Sequence, residues 1–117
     1  MGRKKLYDNK IKHPYSLVHT IEAIIADYPR RDRIIRFSSA SEETLSEYRR
    51  LNDIIDNVIS ETSELELARI VKNDIIERLG YEKSRAHMLS SKCTYYNLKR
   101  KIIHCVAVNM HLVDKEN

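Results

Sequence analysis

Apolar residues recur at the three- and four-residue spacing of an α-helix along most of the chain. Downstream of Pro14, Ser16 is in position to cap a first helix, and Pro29 is expected to end it. The apolar residues of this first helix form a one-sided stripe: Leu17, Ile21, Ile24, Ile25 and Tyr28. The next segment, 30–37, is basic and contains three apolar residues. It predicts a short helix or an extended connector.

Residues 41–79 continue the helical spacing and predict either one long helix or two. Ser39–Glu42 and Ser63–Glu66 have the spacing of capping boxes. Gly80 is in the position of the glycine that follows a helix C-terminus. No strand-like alternation persists, and two glycines with two prolines are too few for a many-turned β-fold. The sequence therefore predicts an all-α fold.

The C-terminal region has the layout of a helix-turn-helix. A short helix-like piece, Tyr81 to Leu89, precedes a turn and a long helix expected from Lys92 to about Leu112. A helical wheel places the following residues on its core face: Tyr95, Leu98, Ile102, Ile103, Val106 and Met110. The tail, 102–113, is apolar on more than one side. It is either buried between other elements or part of a dimer interface.

The outward side of this long helix carries side chains that DNA-binding helices use. Arginine pairs with guanine, asparagine pairs with adenine, and lysines and helix N-termini bind phosphate. Ser91 is expected to cap the helix by accepting a bond from the amide of Cys93 or Thr94. The predicted DNA-binding residues are Ser91, Lys92, Cys93, Thr94, Tyr96, Asn97, Arg100 and Lys101. An ordinary solvated helix face has a similar composition, so spacing alone leaves both interpretations open.

The net charge of +4 is unevenly distributed along the chain. Residues 1–13 carry +4, residues 14–40 carry +1, residues 41–80 carry −5 and residues 81–117 carry +4. Basic ends around an acidic middle suggest a polyanionic partner such as DNA, although terminal basic residues also serve solubility. The sequence predicts a flexible basic arm (1–13), a helical scaffold with possible oligomerisation (14–80), and a DNA-binding region (81–117).

Several other functional classes find no support in the sequence. No apolar run is long enough to span a membrane, and the N-terminus lacks a signal-peptide core. Cys93 and Cys105 would lie about 18 Å apart on one helix, too far for a disulfide. The five histidines form no zinc-ligand pattern, and no nucleophile lies beside a base. We therefore expect a reduced, cytoplasmic protein that is not an enzyme and holds no cofactor or metal.

The end of the chain resembles a known family of small phage regulators. The residues that carry the resemblance are Ser91-Lys92-Cys93-Thr94-Tyr95-Tyr96, Lys99-Arg100-Lys101 and Val106-Ala107. They are similar to the C-terminal signature of the RinA and ArpU families, whose last segment is similar to the promoter-binding module of sigma factors. The stretch Ile21 to Phe37 resembles their N-terminal helix. This resemblance implies an activator of late or packaging genes in a phage or prophage.

Three functions follow from these observations and remain to be separated. The first is a sequence-specific transcriptional regulator that binds double-stranded DNA through helix 92–112, as a possible homodimer and with RNA polymerase as a possible partner. The second is a DNA-packaging subunit similar to a small terminase. The third is a helical protein-interaction module that does not bind DNA.

Overall fold

The computed structural model describes residues 13–114. This part of the chain is all-α, which confirms the predicted fold class. Its α-helices are α1 (Tyr15–Ala26), α2 (Tyr28–Phe37), α3 (Glu42–Ser60), α4 (Leu65–Glu77) and α5 (Lys92–Asn109). Two 3-10 turns, Tyr81–Lys83 and Arg85–Met88, connect α4 to α5. Most of the predicted basic arm lies outside the described residues.

One apolar core joins α1, the C-terminal half of α3, α4 and α5. The largest fully buried side chains are Tyr95, Ile21, Ile25, Ile55, Ile102, Val71 and Val106. The tail of α5 is buried between the other helices, because Ile102, Ile103 and Ala107 are also in the core. Burial therefore explains these three residues, whereas Leu112 at the end of the tail is 47% exposed.

The long helical stretch is two helices, and four predicted boundaries are wrong. Ser16 lies inside α1 and does not cap it, since the N-cap residue is Pro14 and no side chain caps this helix. Pro29 lies in the first turn of α2, where backbone N–H groups have no partner within the helix, so the N–H that proline lacks is not needed. Pro29 therefore begins a helix and does not end one. Ser41, and not Ser39, caps α3 by accepting a 3.2 Å bond from the amide of Thr44. No side chain caps α4, whose N-cap residue is Glu64.

The helices α4 and α5 end earlier than predicted and in the same way. At the end of α4, Arg78 takes the left-handed conformation (φ 61°), and the Leu79 N–H donates to the Asp74 carbonyl at 2.9 Å. At the end of α5, His111 (φ 63°) and Leu112 repeat this arrangement. An apolar residue just after the left-handed one commonly accompanies this motif. Both helices therefore end in the same left-handed motif, and Gly80 (φ −91°) is not the left-handed residue.

The helices α2 and α3 form an antiparallel hairpin whose base is held by buried polar groups. Arg31 is only 3% exposed, and its guanidinium donates to the Asn52 Oδ1 at 2.7 Å and to the Ile24 carbonyl. Asn52 also donates to the Tyr28 carbonyl. Burial and a hydrogen bond to Asp56 raise the pKa of Tyr28 to about 12. The bond to Ile24 joins the hairpin to α1, and the other bonds hold α2 against α3.

Candidate nucleic-acid interface

The segment before α5 is not the short α-helix that the helix-turn-helix layout predicts. Ser84 is buried in an extended conformation (ψ 152°), and its hydroxyl accepts a 2.9 Å bond from the Ala86 amide. Serine side chains compete in this way with the helical hydrogen-bond pattern. Two 3-10 turns form on either side of Ser84. A helix-turn-helix is therefore not confirmed, although the long second helix is present.

Aromatic side chains fix this segment against the first turns of α5. The Tyr81 hydroxyl donates to the Ser90 carbonyl at 2.7 Å, and the Tyr81 amide donates to the Tyr96 hydroxyl at 3.2 Å. Tyr81 and Tyr96 both contact the Tyr95 ring edge-on, with centroids 5.2 and 5.0 Å away. The N-terminus of α5 is thereby held on a rigid support.

Tyr95 anchors α5 to α4. Its ring is fully buried, and its hydroxyl donates to the Asp74 Oδ2 at 2.7 Å. Asp74 is itself only 5% exposed and lies within the apolar side of α4. Burial, followed by the bond to Asp74, raises the pKa of Tyr95, which keeps the phenol protonated. This contact sets the rotation of α5 and decides which of its residues face outward.

The first turn of α5 is exposed and capped as predicted. The Ser91 hydroxyl accepts a 3.2 Å bond from the Thr94 amide and lies 3.1 Å from the Thr94 hydroxyl. Lys92, Cys93 and Thr94 are all exposed. The positive end of the helix dipole therefore faces solvent and is open to an anion.

Cys93, Asn97 and Arg100 form a continuous strip on the outward side of α5, which we call the α5 strip. The Arg100 guanidinium donates to the Asn97 Oδ1, and the Asn97 amide group approaches the Cys93 Sγ at 3.6 Å. Arg100 and Cys93 are exposed, and Asn97 is half-buried. At 1.5 Å per residue the strip is about 10 Å long, which suits the roughly 12 Å width of the DNA major groove.

The other predicted binding residues lie around the α5 strip. Lys92 forms an exposed ion pair with Glu82 at 2.9 Å. That bond lowers the pKa of Glu82 and raises the pKa of Lys92, so both groups are charged near neutral pH. Lys101 is half-buried on the opposite flank, in a pocket shared with Glu61. Tyr96, predicted on the DNA side, is half-buried with its hydroxyl engaged by Tyr81.

The α5 strip continues toward a histidine pair. His104 lies one turn beyond Arg100, and its Nδ1 is 3.0 Å from the Nε2 of His13. The two rings are almost parallel, with an interplanar angle of 10°. Burial, and then the neighbouring His13, lower the pKa of His104. A neutral His104 can accept the His13 N–H, and this bond holds the start of the described chain against α5.

The chain matches no protein-family model, no curated protein and no solved structure. No helix within residues 13–114 has the length and apolar character needed to cross a membrane. The same residues contain no group of three histidine, cysteine or acidic side chains that could hold a metal ion. The candidate site therefore rests on the geometry and charge of α5 and its surroundings.

Sequence reasoning missed the contacts that position the α5 strip. Asp74 gave a signal, because an acidic residue among Ile70, Val71 and Ile75 interrupts an apolar stripe and implies a buried partner. Its partner, Tyr95, was assigned to the core but not to Asp74. The His13–His104 pair gave no signal in the sequence, because its members lie 91 positions apart.

Proposed function

We propose that this protein is a sequence-specific DNA-binding transcriptional regulator that inserts the N-terminal half of α5 into the major groove. The observation that carries the proposal is the α5 strip, in which Asn97 and Arg100 face outward directly behind a capped, exposed helix N-terminus. The resemblance to phage regulators adds the regulatory role, and RNA polymerase is then a partner.

The charge around the N-terminus of α5 supports binding to a polyanion. Residues 81–114 carry six lysines and arginines against two acidic residues. Four of these bases are exposed: Lys83, Arg85, Lys92 and Arg100. Arg100 has five N–H donors, and two of them suffice to pair with a guanine. The exposed lysines would bind phosphates on either side of the groove.

The position of His13 adds a second source of phosphate contacts. Residues 1–12 carry five bases and one acid, and they join the described chain at His13. His13 contacts His104, which lies on the same outward side of α5 as Arg100. The basic segment is thus attached beside the α5 strip. In other DNA-binding proteins, basic arms attached near the recognition helix bind the minor groove.

Binding of the full chain to duplex DNA at several salt concentrations tests the proposal. Each neutralised phosphate contributes about −0.9 to the slope of log affinity against log salt. With Lys83, Arg85 and Lys92 on phosphates and Arg100 on a base, we expect a slope of about −3, which contacts from residues 1–12 would make steeper. A selection from random duplexes should also enrich one motif. Absence of measurable binding at low salt would refute the proposal and favour a protein-interaction module.

Glu82 competes with DNA for Lys92, so its removal should strengthen binding. We expect Glu82→Gln to lower the Kd for duplex DNA about two- to fivefold at low salt, because a carboxylate beside the phosphates is lost and Lys92 is released. Fluorescence anisotropy measures this change. Glu43→Gln, an exposed acid on α3, is the matched control and should leave the Kd unchanged. Equal gains in both variants would mean that only net charge matters.

A further inference from the structure

The outer half of the α2–α3 hairpin exposes apolar side chains that the core does not use. Phe37 is 84% exposed, and Ile34, Tyr48 and Leu51 near it are half-buried. Among the described residues, these four belong neither to the buried core nor to the half-buried side chains packed against it. A large exposed aromatic side chain beside half-buried apolar residues that the core does not use is a candidate interaction site.

These four side chains share one face of the hairpin. Ile34 and Phe37 are three residues apart on α2, as are Tyr48 and Leu51 on α3, so each pair lies on one side of its helix. The Arg30 guanidinium, one turn before Ile34, lies 5.4 Å from the centre of the Tyr48 ring. This contact places the two pairs side by side. We call this surface the hairpin face.

The charges of the hairpin select a second copy of the chain as its partner. The helix α2 carries a net charge of +3, or +2 without the buried Arg31, and α3 carries −3. Arg33 borders the hairpin face on α2 and Glu47 borders it on α3. Both are exposed, and Glu47 is also paired with Arg50 at 2.8 Å. We consider two hairpin faces that meet around a two-fold axis, with α2 of each copy over α3 of the other. Arg33 of each copy then faces Glu47 of its partner. Two helical hairpins packed in this way form a four-helix bundle, which buries apolar faces that one hairpin cannot.

We propose that the chain forms a homodimer through the hairpin face, with Phe37 buried in the interface. The dimer is independent of DNA, since α5 and its strip lie outside the hairpin. It would carry two α5 strips, as dimeric regulators that bind paired half-sites do.

Sedimentation equilibrium of the full chain without DNA tests the dimer. We expect a reversible monomer–dimer equilibrium, which Phe37→Asp weakens at least tenfold, because a carboxylate replaces an apolar contact on each copy. Met88→Asp is the matched control, since Met88 is 88% exposed but lies outside the hairpin. It should leave the dimer intact. Circular dichroism should show both variants folded, because neither side chain contributes to the core.

A charge-reversal pair tests the arrangement of the helices. Arg33→Glu alone and Glu47→Lys alone should each weaken the homodimer, because like charges then face each other across the interface. Mixing the two variants should restore association as a heterodimer, in which every facing pair is opposite in charge. A wild-type chain that stays monomeric, assembles into larger rings, or dimerises equally well with Phe37→Asp would overturn the proposal. Loss of DNA binding with an intact dimer would contradict only the proposed function.

Discussion

Replacing Tyr95 with alanine should lower the free energy of unfolding by about 3–5 kcal/mol. The fully buried ring leaves a cavity between α4 and α5, and the buried Asp74 carboxylate loses its donor. Domains of this size are stable by only about 5–15 kcal/mol, so the loss is a large share of the total. Urea unfolding followed by circular dichroism should therefore show a much lower midpoint than for the wild type.

Tyr95→Phe separates the hydrogen bond from the packing. It keeps the ring but leaves Asp74 buried without the phenol, which should cost about 1–3 kcal/mol. Asp74→Leu in the same chain should recover part of this loss, because removing both polar partners costs less than removing one. A Tyr95→Ala chain that melts like the wild type but no longer binds DNA would show that Tyr95 faces outward and that α5 is rotated differently.

Arg100→Ala should weaken binding to the selected DNA motif by about 1–3 kcal/mol, or roughly 5- to 150-fold. A guanidinium that bonds both acceptors of a guanine contributes affinity at one base position only. Arg100→Lys should retain most binding to random duplexes but lose the preference for that base, because an ammonium cannot form the paired bonds. Competition between selected and random duplexes measures both effects.

The control for Arg100 is an exposed arginine on a different helix, away from the α5 strip. Arg49 on α3 is 48% exposed and pairs with Glu42 at 3.5 Å. Arg49→Ala removes the same charge from the hairpin, and we expect no change in sequence preference. An equal loss of affinity for selected and random DNA in Arg100→Ala would assign Arg100 to phosphate contact and remove the basis for sequence recognition by this residue.

The fold class and the faces of the C-terminal helix could be predicted because periodic burial leaves a direct trace in sequence. Tyr95, Leu98 and Ile102 recur at helical spacing, and all three are buried. Helix ends depend on which residue takes the left-handed conformation and which groups cap the last turn, and periodic burial does not record either. The left-handed positions fall on Arg78 and His111 and not on a glycine, so the position of Gly80 did not mark the end of α4.

The contacts that build the site depend on distant segments and leave little local trace. The turns before α5 follow from the Ser84 hydroxyl and from Tyr81, which bonds to Ser90 nine residues later. The hairpin face depends on how α2 packs on α3. Segment 30–37 alone left a helix and an extended connector equally open, so this surface could not be predicted from sequence.

A nuclear magnetic resonance titration of the full chain with a short random-sequence duplex at low salt is the sharpest test of groove binding by α5. If α5 enters the major groove, the backbone amides of residues 91–100 should shift most, together with the Asn97 side-chain amide. The amides of α2 and of the first half of α3 should move little. Unchanged amides at the start of α5, or the largest shifts on the hairpin, would contradict groove binding by this helix.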